Sequence, residues 1–265
     1  MRVQSIGWRT DLALRRMEGA EIVDRGDHLL VRTASNPAYR WGNFLLFGAP
    51  PCTGDAQRWI EQFELAFPGA EYLAIGLDSP SGELGEISAL RAAGIGVETD
   101  TVMSTDRLHP PPREPPVAVF RELSSEDDWR QAVGLRVAVD EDEGPGYRAF
   151  LERQMQSIRA ACRLGHGAWF GAFVEDRLLS GLGIFSAGDG TARFQSVETH
   201  PQHRRQGLAG NLVLAAGRYA FTQLAAKTLV IAADPDYLAI DIYRSLGFHA
   251  REQHVQLERL ARPPR

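Results

Sequence analysis

Cys52 and Cys162 are the only cysteines among 265 residues. Two thiols cannot make a disulfide scaffold, and their spacing is not that of metal ligands, so a reducing, cytoplasmic setting is expected. Long apolar runs are also missing. Nothing approaches the roughly 18 consecutive apolar residues of a membrane helix, and Met1-Arg2-Val3-Gln4-Ser5-Ile6 lacks the apolar centre of a signal peptide. No membrane partner is expected. Basic charge is in deficit: 29 Lys and Arg against 34 Asp and Glu leave a net charge of −5, the wrong sign for a general nucleic-acid binder. The seven histidines do not cluster as ligands, and His200 and His203 read as loop residues, so no metal is expected. Two phosphate-binding signatures are absent as well, the Gly-Lys-Ser/Thr of a P-loop and the G-x-G-x-x-G that opens a Rossmann unit.

What is present is the composition of a globular α/β chain, 44% hydrophobic and 24% charged, long enough for two modest cores. The clearest boundary is His109-Pro110-Pro111-Pro112-Arg113-Glu114-Pro115-Pro116, whose prolines lack N–H donors and favour a stiff, extended spacer. It predicts domains at 1–108 and 117–265, joined by 109–116. In the second, Val117–Leu123 reads as a strand, and Ser124 or Ser125 caps a helix running to about Arg136. Tyr147–Leu164 reads as another helix. Residues 168–174 and 178–185 flank the tight turn Glu175-Asp176-Arg177 as a hairpin.

The most informative stretch is Thr199-His200-Pro201-Gln202-His203-Arg204-Arg205-Gln206-Gly207-Leu208-Ala209-Gly210. It joins a strand, Phe194–Thr199, to a helix starting at Leu208, so unpaired backbone N–H groups and the positive end of a helix dipole converge on one point. Gly207 permits close backbone approach, and Arg204 and Arg205 add charge. Downstream come a strand, Thr228–Ala233, and a helix ending Tyr243-Arg244-Ser245-Leu246-Gly247-Phe248.

The spacing Arg204-x-x-Gly207-x-Ala209 followed by that helix ending resembles the GNAT superfamily of acyl-CoA N-acyltransferases over residues 117 to 260. The resemblance implies acetyl-CoA as acyl donor. Backbone groups of Val197, Glu198 and Thr199 would hold the pantetheine arm, and those of Arg205, Gln206, Gly207, Leu208, Ala209 and Gly210 the pyrophosphate, with Arg204 adjacent. Tyr243 stands where the family carries the acid that protonates the departing thiolate. Glu198, beside the acyl-binding strand end, is the candidate base; a surface ion pair with Arg204 is its other reading. Where many relatives resemble Asn-Pro-x-Ala before the last helix, this chain has Asp236-Tyr237-Leu238-Ala239. Aspartate still caps a helix but does not donate as an amide does.

The N-terminal part echoes the C-terminal one. Strand, helix, strand, helix and strand are expected at 43–47, 54–67, 71–77, 84–93 and 95–103, and Leu90-Arg91-Ala92-Ala93-Gly94-Ile95 falls opposite Tyr243–Phe248 at an offset of 153 residues (247 − 94). The expected fold is therefore α/β (α+β): two tandem GNAT-like domains, each a mixed central sheet flanked by helices. The first is degenerate, with Ala49-Pro50-Pro51-Cys52-Thr53-Gly54 in place of the phosphate turn and Leu90 in place of Tyr243. The expected activity is acetyl transfer by direct attack of a primary amine of a small molecule or peptide, with a homodimer left open. The alternative is an acyl-CoA-binding sensor without turnover. The acidic run Asp140-Glu141-Asp142-Glu143 could attract a cationic acceptor, or be a solvated loop.

Overall fold

A computed structural model describes residues 1–113, 117–140, 146–236 and 239–260. They divide into two compact units, one of residues 1–102 with 251–265 and one of 103–250.

In the first unit, helix α1 (Ile6–Met17) precedes strands β1 (Glu21–Asp24), β2 (His28–Arg32) and β3 (Asn43–Phe47), then α2 (Asp55–Ala66), β4 (Leu73–Leu77) and the short α3 (Ser88–Ala92). The division falls inside β5 (Gly96–Thr105). β3 and β4 run parallel, and both are wholly buried, as strands covered on two faces must be. The core packs Trp8, Phe44, Phe47, Trp59 and Phe63 around them. The other neighbour of β4 is the last strand among the described residues, β11 (His249–Arg259), whose Val255–Arg259 pairs antiparallel with Leu77–Leu73. From this strand Glu252 accepts the N–H of Gly7 at 2.6 Å and the Ser5 hydroxyl, which satisfies the start of α1. The sequence places β11 in the second domain; the structure groups it with the first, because its apolar Val255 and Leu257 belong to that core.

The second unit begins with the end of β5 and continues through β6 (Val119–Glu122), α4 (Glu126–Val139), α5 (Tyr147–Arg163), β7 (Gly167–Val174), β8 (Arg177–Gly188), β9 (Thr191–Thr199), α6 (Leu208–Gln223), β10 (Thr228–Ala233) and α7 (Ala239–Ser245). Its strands lie in the order β10-β9-β8-β7-β6. Only β9 and β10 are parallel. Glu175 and Asp176 both take positive φ, 48° and 62°, as a two-residue hairpin turn requires. The proline-rich segment is not a bare spacer as far as Arg113. Leu108 packs where a side chain on Gly217 would stand, Pro111 covers Gly210, and the His109 N–H donates to the Leu246 carbonyl at 3.0 Å. Pro115 and Pro116 lie outside the described residues.

The halves repeat. Gly54 and Gly207, again 153 residues apart, both cap a helix in the left-handed conformation, with φ of 92° and 84°. Gly94 and Gly247, φ 78° and 97°, both close a helix by the same pair of bonds: Gly94 and Ile95 N–H to Arg91 and Leu90, Gly247 and Phe248 N–H to Arg244 and Tyr243.

Asp128 fixes α4 to β6. Ser125 and Asp128 cap each other's backbone, and Asp128 also accepts from Ser124 N–H at 2.8 Å and from both terminal nitrogens of Arg121, at 2.7 and 2.9 Å. These bonds, led by Arg121, hold its carboxyl well below the usual range. Its stabilisation is therefore fully present above the unfolded value of about 4 and is lost as pH falls through the depressed folded value. Asp128→Asn is expected to lower unfolding free energy at pH 7 by about 1–3 kcal/mol, measured by chemical denaturation, with the difference closing in acid.

Candidate functional site

The site starts with a ladder that stops. β9 pairs with β10 only from Thr191↔Thr228 to Arg193↔Val230, while its other edge stays paired to β8 as far as Thr199. The backbone of Phe194–Thr199 therefore presents its β10-side edge without a strand partner. Within that stretch the β8 register skips between Gly181↔Glu198 and Gly183↔Gln195, and Ser196 takes φ 49°. This is a β-bulge, which re-aims the residues after it. Val197 and Thr199 turn toward α6 and α7, and Glu198 toward α4.

Beyond Thr199 a short 3-10 turn, Pro201–His203, leads to Arg204 and then to two left-handed residues, Arg205 at φ 64° and Gly207 at φ 84°. Such alternation gathers successive N–H groups into an anion-binding concavity. α6 adds the N–H groups of its first turn, which have no intrahelical partner. A side-chain carbon on Gly207 would stand 3.2 Å from the Arg113 carbonyl, so a side chain here is strained by conformation and tight in space. Asn211 donates to that carbonyl at 2.8 Å and to Gly207 O at 3.0 Å, and Arg113 donates to Arg205 O at 3.1 Å. The sequence gives no sign of this brace on the turn.

A cavity of about 250 Å³ opens where strand edge, turn and α7 meet. Every residue expected at the turn from Arg204 to Gly210 lines it except Gln206, together with Val197, Thr199, His203, Ala239, Ile242 and Tyr243. Tyr243 is 4% exposed, its ring edge-on to Phe248 at 6.2 Å, in the apolar contact that accompanies the glycine-closed helix end. Tyr237 and Leu238 of the Asp236-Tyr237-Leu238-Ala239 departure lie outside the described residues, and Asp236 N–H donates to Asp234 at 2.8 Å.

Glu198 does not line this cavity. Its side chain is 13% exposed and its Oε1 lies 3.3 Å from Nε of Arg136 on α4, so its ionic partner is Arg136 and not Arg204. Burial, and then Asp140, pushes its carboxyl up to about 7 against the opposing pull of Arg136. Asp140 accepts the Tyr147 hydroxyl, and Arg136 Nη1 donates to Gln154 at 3.2 Å. Glu141, Asp142 and Glu143 of the acidic run lie outside the described residues. Arg136 was legible as a lone charge in Ala132-Val133-Gly134-Leu135-Arg136-Val137-Ala138-Val139. Among the described residues no cluster could hold a metal, and no helix is long and apolar enough to cross a membrane.

The corresponding turn of the first unit is filled by its own chain. Asp55 follows Gly54 where Leu208 follows Gly207, and its carboxylate accepts Cys52 N–H at 2.8 Å and pairs with Arg58. The Pro51 carbonyl accepts Glu86 N–H at 2.8 Å, and Pro50 and Pro51 crowd Gly85.

Residues 135–248 match the model of the acetyltransferase (GNAT) family. They are a GNAT domain. Among solved structures, a conserved protein of unknown function from Staphylococcus epidermidis superposes with a TM-score of 0.73 at 12% identity, covering 92% of this chain and 95% of that one. A GCN5-related N-acetyltransferase from Kribbella flavida gives 0.63 at 17%, with 96% of each chain covered. A tandem GNAT protein from the clavulanic acid biosynthesis pathway gives 0.54 at 16%, over 90% of this chain and 83% of that one. These likenesses establish the fold, two GNAT-like halves in tandem. No curated protein matches.

The glycine at the turn gives a direct test. Gly207→Val forces a β-branched residue into a left-handed conformation at a cost of about 1–2 kcal/mol and into contact with Arg113. Calorimetric titration of the intact chain is expected to give one coenzyme A per chain, and the variant to fold without measurable binding.

Proposed function

We propose that the second unit is an acetyl-CoA-dependent N-acetyltransferase acting on a primary amine by direct attack. The observation that supports this most is the cavity at the end of the β9–β10 ladder, which brings an open strand edge, an anion-binding turn and a tyrosine hydroxyl-bearing side chain to one place. The residues fit coenzyme A: the N–H groups and arginines of the turn suit a pyrophosphate, and the strand edge suits the amides of an extended pantetheine arm. Bound there, acetyl-CoA supplies an activated acyl group.

The chain then has three tasks. Val197–Thr199 fixes the thioester by main-chain groups, in line with an amine arriving from the α4 side. Glu198 takes a proton as the amine nitrogen forms its bond to the acyl carbon, and Tyr243 gives one to the sulfur as the carbon–sulfur bond breaks. A carboxyl held near 7 is matched to proton uptake at neutral pH; at its ordinary value it would be a weaker base.

Tyr243→Phe removes only the hydroxyl and keeps the ring against Phe248, so it is expected to lower turnover by about 100- to 10,000-fold while acetyl-CoA affinity holds within a few-fold. Pre-steady-state thiol release and calorimetry check the two halves of that statement. A loss of less than a few-fold in the chemical step removes Tyr243 from the mechanism. Because Glu198 must be ionised to accept a proton, kcat/KM is expected to rise with pH through about 7 and then level, and Asp140→Asn to move that limb to lower pH. An unmoved limb would assign it to another group.

A further inference from the structure

On the α4 side of the bulge, three elements converge: β9 with Glu198, α4 with Arg136 and, one turn on, Asp140, and the start of α5 with Tyr147 and Gln154. A site for a simple cationic amine needs acidic groups and no cation. This one holds a guanidinium only 11% exposed, a few ångströms from the carboxylate that would receive the amine. Arg136 also does not spend its fork on Glu198. Its Nε lies 3.3 Å from Glu198 without a hydrogen bond there, and Nη1 is tied to Gln154. A planar guanidinium steadied by an amide, with a donor not committed to its ionic partner, is a donor set suited to a carboxylate.

We propose that Arg136 recognises the acceptor and that the acceptor is a small free amino acid, its carboxylate bound by Arg136 and its amine presented to Glu198. The inference rests on the acyl-transfer reading of the same unit. The closeness of Arg136 to Glu198, 3.3 Å between Nε and Oε1, matches an acceptor whose two charges sit on one carbon. Asp140, held by the Tyr147 hydroxyl, flanks the amine end. Such an acceptor balances both signs in the cleft; an amine without a carboxylate meets Arg136 uncompensated.

The test compares the proteinogenic L-amino acids with their carboxamides, which keep size and amine and delete only the anionic charge. Binding to the chain saturated with coenzyme A is followed calorimetrically, and transfer by thiol release from acetyl-CoA. The preferred amino acid is expected to exceed its carboxamide by about 10- to 100-fold in both affinity and kcat/KM, the usual discrimination of a charge-assisted fork. Arg136→Gln is expected to abolish that ratio through KM, and Arg136→Lys to restore part of it. Equal use or equal binding of acid and carboxamide by the unaltered chain overturns the proposal, as does a ratio that survives Arg136→Gln. The two readings fail separately. Thiol release with no preference for the acid rejects the amino acid and leaves acyl transfer standing; preferential binding of the acid without thiol release upholds Arg136 and rejects transfer.

Discussion

Three paired residues decide where chemistry can occur. After Arg193↔Val230 the parallel strands β9 and β10 cease to bond, and the main chain from Phe194 to Thr199 is left with one edge satisfied by β8 and the other open. An open edge inside a domain is costly unless another chain-like group pairs with it. An extended molecule with amides could complete such a ladder. The bulge at Ser196 follows from the same divergence, since an extra residue in β9 increases its local twist and bends it away from β10. It also sends Val197 and Glu198 to opposite faces, which separates the donor side, with its turn and Tyr243, from the α4 side, with its charged cluster.

The two halves show how little must change for one site to close. Both retain the left-handed glycine before the helix and the glycine that ends the following one, because these are requirements of the turn and the helix end and not of any ligand. The first half differs in what surrounds the glycine. Prolines at 50 and 51 remove N–H donors, the Asp55 carboxylate in the first turn of α2 takes up the Cys52 N–H, and the Pro51 carbonyl accepts from Glu86. A carboxylate in the first turn of a helix is favoured by the helix dipole and disfavours a second anion at the same end.

Most of this was legible in the sequence where it rests on local rules. Thr228–Ala233 is a strand within the limits its apolar run predicts, α5 and the Glu175-Asp176 hairpin fall where expected, and the offset of Gly94 from Gly247 extends to Gly54 and Gly207. Features set by long-range partners were not legible. Nothing in His249–Arg259 says that it pairs with β4, since alternation fixes which face is apolar and not which neighbour is taken. The left-handed Arg205 and Ser196 have no local mark, as neither residue type favours that conformation. Helix α1 and strands β1 and β2 had no reading at all. The ionic partner that the sequence offers Glu198 as the alternative to a base is Arg204, six positions away; the fold supplies Arg136 instead, from α4.

The electrostatics around Glu198 then form a set of opposed demands. Burial under α4 favours the protonated carboxyl, which accepts no proton; a fully closed ion pair would keep it ionised but weakly basic. Arg136 stands close enough to offset part of the burial, yet without the hydrogen bonds that would saturate the carboxylate. Asp140 pushes in the opposite direction from the end of the same helix, and its position is held by Tyr147 and not by the cation. The value of about 7 thus reflects burial and Asp140 set against Arg136, and that cation is also the group through which an acceptor's charge would be felt. An anionic ligand on Arg136 would weaken its pull on Glu198 and so raise the basicity of the carboxylate when an acceptor is in place. Recognition of the acceptor and readiness of the base are in that way one electrostatic event.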